Sequence, residues 1–251
     1  MRLNKYISDA GCCSRREADR LIEAGRIKVN GKTAQMGMQV EQDDIVEIDG
    51  REIKPYKGGR KVIYAFYKPE GIITTMADEP DSLAKYLQGK GIDARVYPVG
   101  RLDKESCGLL LLTNDGDLMN SILKTSNNHQ KEYVVKVNKD ITDAFLKGMA
   151  SGVEITDGNT GKKVVTRRCT VKRNGKRTFT IVLRQGLNRQ IRRMCGSFGY
   201  EVTSLKRIRI MNVNLNGLKE GEIRLLTFEE EKRLRELCGF GGKDDGQGSQ
   251  N

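Results

Sequence analysis

The sequence predicts an α+β protein made of a small N-terminal module and a larger mixed domain. From Val62 onward, strand-like and helix-like patterns intermingle without regular βαβ alternation. The first 50 residues hold a compact helix–helix–hairpin pattern, set off by REIKPYKGGRK, 51–61, with one Pro, two Gly and five Lys/Arg. That segment reads as a flexible, lightly basic linker. With 251 residues, 37% of them hydrophobic, the chain has apolar material for both parts. No run approaches the roughly 18 apolar residues of a membrane span, and MRLNKYISDAGCC lacks the apolar stretch of a secretory signal. A cytoplasmic, monomeric protein is expected.

In the N-terminal module, Leu3, Tyr6, Ile7 and Ala10 follow helical spacing. Ser14 and Glu17 have the spacing of a capping box, Ala18, Leu21 and Ile22 supply an apolar stripe, and Gly25 stops the helix. Ile27 and Val29 then alternate into Asn30-Gly31, a strong hairpin signal, and DIVEIDG places Val46 and Ile48 on one strand face. Residues 1–34 carry eight Lys/Arg and four acids, whereas 35–52 carry six acids and only Arg51. The basic half is the expected phosphate-facing side.

In the larger domain, strands are expected at Val62–Tyr67, Leu109–Thr113, Tyr133–Val137, Val164–Val171 and Phe179–Leu183. Helices are expected at Leu83–Leu87, Asp117–Leu123, Thr142–Met149, Asn188–Phe198 and Phe228–Leu237. The tail, 239–251, is polar and Gly-rich, the composition of a disordered segment.

Charge narrows the function. The chain carries +12, and residues 161–210 alone hold fifteen Lys/Arg against one acid, Glu201. A merely solubilising surface mixes both signs, whereas a field this focused suits a polyanion, above all nucleic acid.

Three segments carry side chains suited to chemistry. In VGRLDKESCGLLLLTNDG, Asp103 precedes the most apolar run of the chain, so it sits at the edge of a buried strand. Its sequence neighbours Arg101 and Lys104 favour the ionised form if they also approach in space. An ionised carboxylate suits a nucleophile or base, although an isolated acid there reads more simply as a turn or salt-bridge residue. In QKEYVVKV, Tyr133, Val135 and Val137 share a strand face; Tyr133 is either a half-buried core residue or a platform for a base. In RQGLNRQIRRMCGSFGY, Asn188 is the expected N-cap. Ile191, Met194, Cys195 and Phe198 form a stripe, and Arg189, Arg192 and Arg193 form an acid-free opposite face suited to phosphate or carboxylate.

Other chemistries lack their signatures. There is no GxxxxGK[ST] or GxGxxG sequence, and one histidine, His129, gives no triad. Six cysteines without a CxxC pair argue against zinc. No metal or cofactor is expected.

RLNKYISDAGCCSRREADRLIEAGRIKVNG closely resembles the S4 RNA-binding domain, which implies RNA contacts at Arg15, Arg16, Arg20, Arg26, Lys28 and Asn30. GRLDKESCGLLLLTNDG, KEYVV and GLNRQIRRM, in this order after such a module, resemble the RsuA/RluB/RluE/RluF family of ribosomal RNA pseudouridine synthases, over about residues 1–230. GLNRQIRRMCGSFGYEV followed by LKRIRIMNV is most similar to the RluF branch, which acts on 23S ribosomal RNA. The resemblance implies a catalytic domain over 62–238 with a mainly antiparallel sheet. It implies a uridine flipped from its stack, an essential Asp103, Tyr133 as acceptor of the C5 proton, and Arg192 paired with Asp103. It implies Arg101 on RNA near the flipped nucleotide and no cofactor; the acid-free face of the helix adds Arg189 and Arg193 as expected RNA contacts. The implied partner is structured RNA: 23S ribosomal RNA or a large-subunit assembly intermediate, with a tRNA as a second candidate. The other reading of the same basic surfaces is a non-catalytic RNA-binding or ribosome-assembly factor.

Overall fold

The computed structural model describes residues 1–41, 43–54, 60–92 and 95–240. The chain divides into two compact units between Arg60 and Lys61. No helix among the described residues is long and apolar enough to cross a membrane.

The first unit contains α1 (Leu3–Asp9), α2 (Arg15–Glu23), β1 (Ile27–Val29), β2 (Lys32–Thr33), β3 (Val46–Ile48) and β4 (Arg51–Ile53). The strands form one antiparallel sheet in the order β2-β1-β3-β4. Leu3, Ile7, Ala18, Ile22, Ile27 and Val46 make its core, in keeping with the helical and alternating spacings. Ser14 Oγ accepts the Glu17 N–H at 3.2 Å, but the Glu17 carboxylate turns to Arg20 at 3.0 Å, so only half of the expected capping box forms. Asn30 and Gly31 have φ of 51° and 76°, the two left-handed residues a type I′ hairpin needs. Asp49 and Gly50, at 51° and 76°, make a second turn of this kind, so Arg51–Ile53 is a strand where a linker was expected. Residues 55–59 of that linker and 241–251 of the expected tail lie outside the described residues.

The second unit runs β5 (Ile63–Lys68), α3 (Leu83–Leu87), β6 (Tyr97–Pro98), β7 (Cys107–Thr113), α4 (Gly116–Leu123), β8 (Lys131–Val137) and α5 (Asp143–Ser151). There follow β9 (Glu154–Thr156), β10 (Lys163–Val165), β11 (Thr170–Arg173), β12 (Thr178–Leu183), α6 (Gln190–Ser197), β13 (Val202–Ile210), β14 (Val213–Asn214), β15 (Ile223–Leu225) and α7 (Phe228–Leu237). The main sheet has the order β11-β12-β8-β13-β7-β5-β15, with β6 added to β7 and β14 to β13; β9 and β10 form a separate hairpin. Only β13 and β7 run parallel in this sheet, so it is mixed and mainly antiparallel.

The continuous run in β7 has a direct cause. Leu109 and Leu111 pack with Ile63, Leu118 and Leu234 on one face, while Leu110 and Leu112 pack with Phe66 and Leu102 on the other. A strand covered on both sides needs apolar residues at every position. A third cluster joins Val135, Phe145, Phe179, Ile181 and Met194 beneath the other half of the sheet.

Several strands of this unit depart from the sequence reading, and two of those departures shape the main sheet. Val164–Val171 is not one strand: β10 pairs with β9, and the chain then crosses at the buried Thr166, whose Oγ1 accepts the Val153 N–H at 2.9 Å, to reach β12. β13 was not expected at all, yet it joins the two halves of the sheet. Its parallel contact with β7 depends on Gly108, whose φ is +104° and whose missing Cβ would lie 2.2 Å from the Arg207 carbonyl oxygen.

Candidate active site

The loop from β6 to β7 presents Asp103. It is pinned on its buried side, where the Thr74 hydroxyl donates to the Leu102 carbonyl at 2.7 Å and accepts the Leu102 N–H at 3.2 Å. The Ser106 N–H closes the turn onto the Asp103 carbonyl at 3.1 Å. From α6, Arg192 donates to the Glu105 carbonyl at 2.9 Å and the Val202 carbonyl at 3.0 Å, bracing the loop against β13. The Asp103 side chain is left 35% exposed, enough to reach a ligand.

Asp103 borders a cavity of about 220 Å³. Alternation on β8 turns Lys131 and Tyr133 to one face, and cross-strand register sets Leu183 beside Lys131 and Arg207 beside Tyr133. These side chains line the cavity together with Leu205, Arg101, Asp103, Arg189 and Ile191. Apolar surface sits beside convergent polar groups, as in a site for one flat ring.

Arg189 is the cation nearest Asp103. Its Nη1 lies 3.8 Å from Asp103 Oδ2 and 2.9 Å from Glu105 Oε2. The Arg189 hydrogen bond holds the Glu105 carboxyl below its ordinary range. Lys104, flanking Asp103 in sequence, turns away to Asp81 at 2.7 Å. Burial, and then the Arg207 charge, draw the Lys131 amine down to about 8. Burial draws Lys68 to about 8 as well; its amine donates to the Pro69 carbonyl at 2.7 Å.

Asp103, Tyr133, Arg101 and Arg189 therefore meet around one cavity, whereas Arg192 and Arg193 do not line it. The expected Arg192–Asp103 pair is replaced by Arg189–Asp103, and the cause is where α6 begins. Arg189 is the N-cap, in a left-handed conformation with φ of 49°, and Asn188 caps nothing. Asn188 instead accepts from Arg193 through its carbonyl at 3.1 Å and its Oδ1 at 3.3 Å, folding that arginine back onto the protein. The acid-free face is therefore mostly internal bracing, with Arg189 alone at the cavity.

Sequence reasoning missed Lys131 and Arg207. Counting back two from Tyr133 places Lys131 on the same face. Arg207 needed β13 to be seen as a strand, and Lys206, Arg207 and Arg209 hid its alternation. Among the described residues no cluster of three or more His, Cys, Asp or Glu could hold a metal ion.

In the first unit, Arg15, Arg16 and Lys28 are exposed on α2 and β1. Arg20 and Arg26 are exposed but paired, to Glu17 and Asp49. The Asn30 side chain is committed inside the module, donating to Asp44 at 2.8 Å and accepting the Ile45 N–H at 2.9 Å. It shapes the hairpin, with one amide proton and its carbonyl oxygen already engaged.

Residues 62–197 match the RNA pseudouridylate synthase family, and residues 1–46 match the S4 domain. The chain belongs to the RNA pseudouridylate synthase family. It is 51% identical over 230 residues to a dual-specificity RNA pseudouridine synthase RluF of Salmonella typhi, covering 91% of this chain and 76% of that protein. It is 36% identical over 241 residues to the ribosomal large subunit pseudouridine synthase B of Bacillus subtilis, covering 96% and 98%. A crystal structure of a pseudouridylate synthase superposes with a TM-score of 0.65 at 25% identity, covering 94% of this chain and 99% of that one. The chain is thus an isomerase acting on RNA, with an S4 domain ahead of its synthase domain.

Proposed function

We propose that this enzyme converts a uridine of 23S ribosomal RNA to pseudouridine, with Asp103 as its indispensable residue. The observation that carries the reading is that Asp103, the only carboxylate lining the cavity among the described residues, shares that lining with Tyr133. Relatives described as a synthase B of the large ribosomal subunit support the ribosomal target. Those described as dual-specific support a second RNA class, for which a tRNA stem-loop is our candidate.

The S4 module docks structured RNA through Arg15, Arg16 and Lys28, with Arg20 and Arg26 able to exchange their exposed acids for phosphate. The target uridine leaves its stack, at a cost of about a few kcal/mol, and enters the cavity. Exposed Arg101 grips the backbone at the rim. The N1–C1′ bond breaks while Asp103 either bonds to C1′ or takes a sugar proton. The base turns over and C5 bonds to C1′ as the Asp103–C1′ bond breaks or Asp103 returns the sugar proton; Tyr133 then accepts the C5 proton and N1 is protonated. Arg189 steadies Asp103, and Arg192 holds the loop that carries it.

RNA tritiated at uridine C5 tests this. Wild type should release tritium and Asp103→Asn should not, while binding RNA with unchanged affinity. Retained release by Asp103→Asn removes the proposed role of that carboxylate. Equal binding with no release by wild type from any ribosomal or transfer RNA would favour a binding factor instead.

A further inference from the structure

Beside Tyr133 the cavity lining holds two cations that the steps above do not use. Arg207 is 3% exposed; its Nε donates to the Leu109 carbonyl at 2.7 Å, and its Nη2 is buried with no partner in the protein. Lys131 is half-buried, lines the same cavity, and feels the Arg207 charge as a repulsion. His129, also on the lining, is drawn below its ordinary range by burial and by Lys131, so it is neutral at pH 7 and adds no third charge. The one acid on the lining, Asp103, is turned to Arg189. A buried Arg207 that repels a half-buried Lys131, with neither in an ion pair among the described residues, is unfavourable unless an anion completes the set.

We propose that Lys131 and Arg207 receive the negative charge of the detached uracil. This rests on the reading of the cavity as the synthase site. When N1–C1′ breaks, its electron pair stays on the base and spreads from N1 to O2 and O4. That holds whether Asp103 bonds to C1′ or removes a sugar proton. Lys131 and Arg207 donate hydrogen bonds to this anion and transfer no proton. When C5 attacks C1′ the charge returns to the new C–C bond, and the product forms after the C5 proton is lost and N1 is reprotonated. Donors fixed where charge develops, in a site that excludes water, favour the transition state over the ground state.

Position distinguishes the base from a phosphate as the anion. Lys131 lies two residues from Tyr133 on the same strand face, and Arg207 is its cross-strand neighbour. Both therefore flank the ring that faces the base. Exposed Arg101, Lys124 and Arg184 occupy the rim, where the backbone must stay.

The test uses the full chain and tritiated RNA on which wild type is active. Lys131→Met should lower kcat by about 10²–10³-fold, with KM and RNA affinity within about twofold of wild type and an undiminished Tm, and Lys131→Arg should restore most of the rate. Arg207→Lys, which keeps the charge but loses the fork, should lower kcat with little change in KM. A Lys131→Met enzyme with kcat within threefold of wild type overturns the inference. So does a weakened RNA affinity with a shallower salt dependence and unchanged kcat, which would mean phosphate binding. If Lys131→Met lowers Tm, Lys131→Gln and Lys131→Arg decide, since only a charge requirement separates them in kcat at equal Tm. If wild type releases tritium from no ribosomal or transfer RNA, the synthase site itself is refuted, whereas an active wild type with an equally active Lys131→Met refutes only the charge-receiving role of these cations.

Discussion

Replacing Gly108 with alanine probes the close approach on which the active cavity rests. The new Cβ would lie 2.2 Å from the Arg207 carbonyl oxygen and 2.7 Å from its nitrogen, where real Cβ contacts do not fall below 3.0 Å. β13 must therefore retreat from β7 by about 0.8 Å, the difference between those distances. At φ of +104° the alanine backbone itself costs about 1–3 kcal/mol. Overpacking adds about another 1–3 kcal/mol. The second unit should lose about 2–6 kcal/mol, and at about 2–4 °C per kcal/mol the Tm should fall by at least about 4 °C. Function should suffer more. Arg207 moves with its strand, Asp103 lies five residues before Gly108, and a displacement near 1 Å can cost about 10²-fold in rate. Thermal unfolding and tritium release on Gly108→Ala measure both, with Gly116→Ala as control, since a Cβ there meets nothing within 4 Å. A Tm within 1 °C of wild type and an unchanged kcat would refute the requirement for close β7–β13 approach.

Further predictions address other parts of the site. Arg192→Gln removes the brace from α6 to the Glu105 carbonyl, so kcat should fall by about 10²-fold while RNA affinity is kept; unchanged kcat would show that the loop holds itself. Double replacement of Arg15 and Arg16 by glutamate should weaken RNA binding and flatten the plot of log affinity against log salt by about 0.7–0.9 for each phosphate no longer neutralised. Deleting residues 1–58 should do the same while leaving Tm of the synthase domain intact; unchanged affinity in either variant would remove the S4 module from docking. The Lys131 amine, lowered to about 8, loses its charge as pH rises through that value, so wild-type kcat should decline on the alkaline side near pH 8. His129, drawn below its ordinary range, stays neutral there, but Lys68 titrates in the same range. Assignment therefore rests on Lys131→Arg, which should move the decline to higher pH.

Much of this architecture was readable in local patterns. Ser14, Asn30-Gly31 and the run Leu109–Leu112 each announce a cap, a turn or a doubly covered strand, because the physics they report acts over a few residues. Asp103 and Tyr133 could be nominated because they stand beside such signals. What could not be read depends on distant pairing or on unusual backbone. β13 carries Arg207 on its buried face, so its alternation does not look apolar, and only Gly108 on another strand explains why it fits. The partner of Asp103 turns on the left-handed conformation at Arg189, which non-glycine residues adopt rarely and sequence does not advertise. β4 was within reach, since Asp49-Gly50 is as strong a hairpin signal as Asn30-Gly31, but its flanking charges resemble a linker.

The most direct measurement is a map of pseudouridines in total RNA from cells with the protein, without it, and with Asp103→Asn in its place. At least one pseudouridine of 23S ribosomal RNA should be present only with the wild-type protein and absent in the other two. Persistence of every such site in the Asp103→Asn cells, with loss only when the protein is missing, would contradict this.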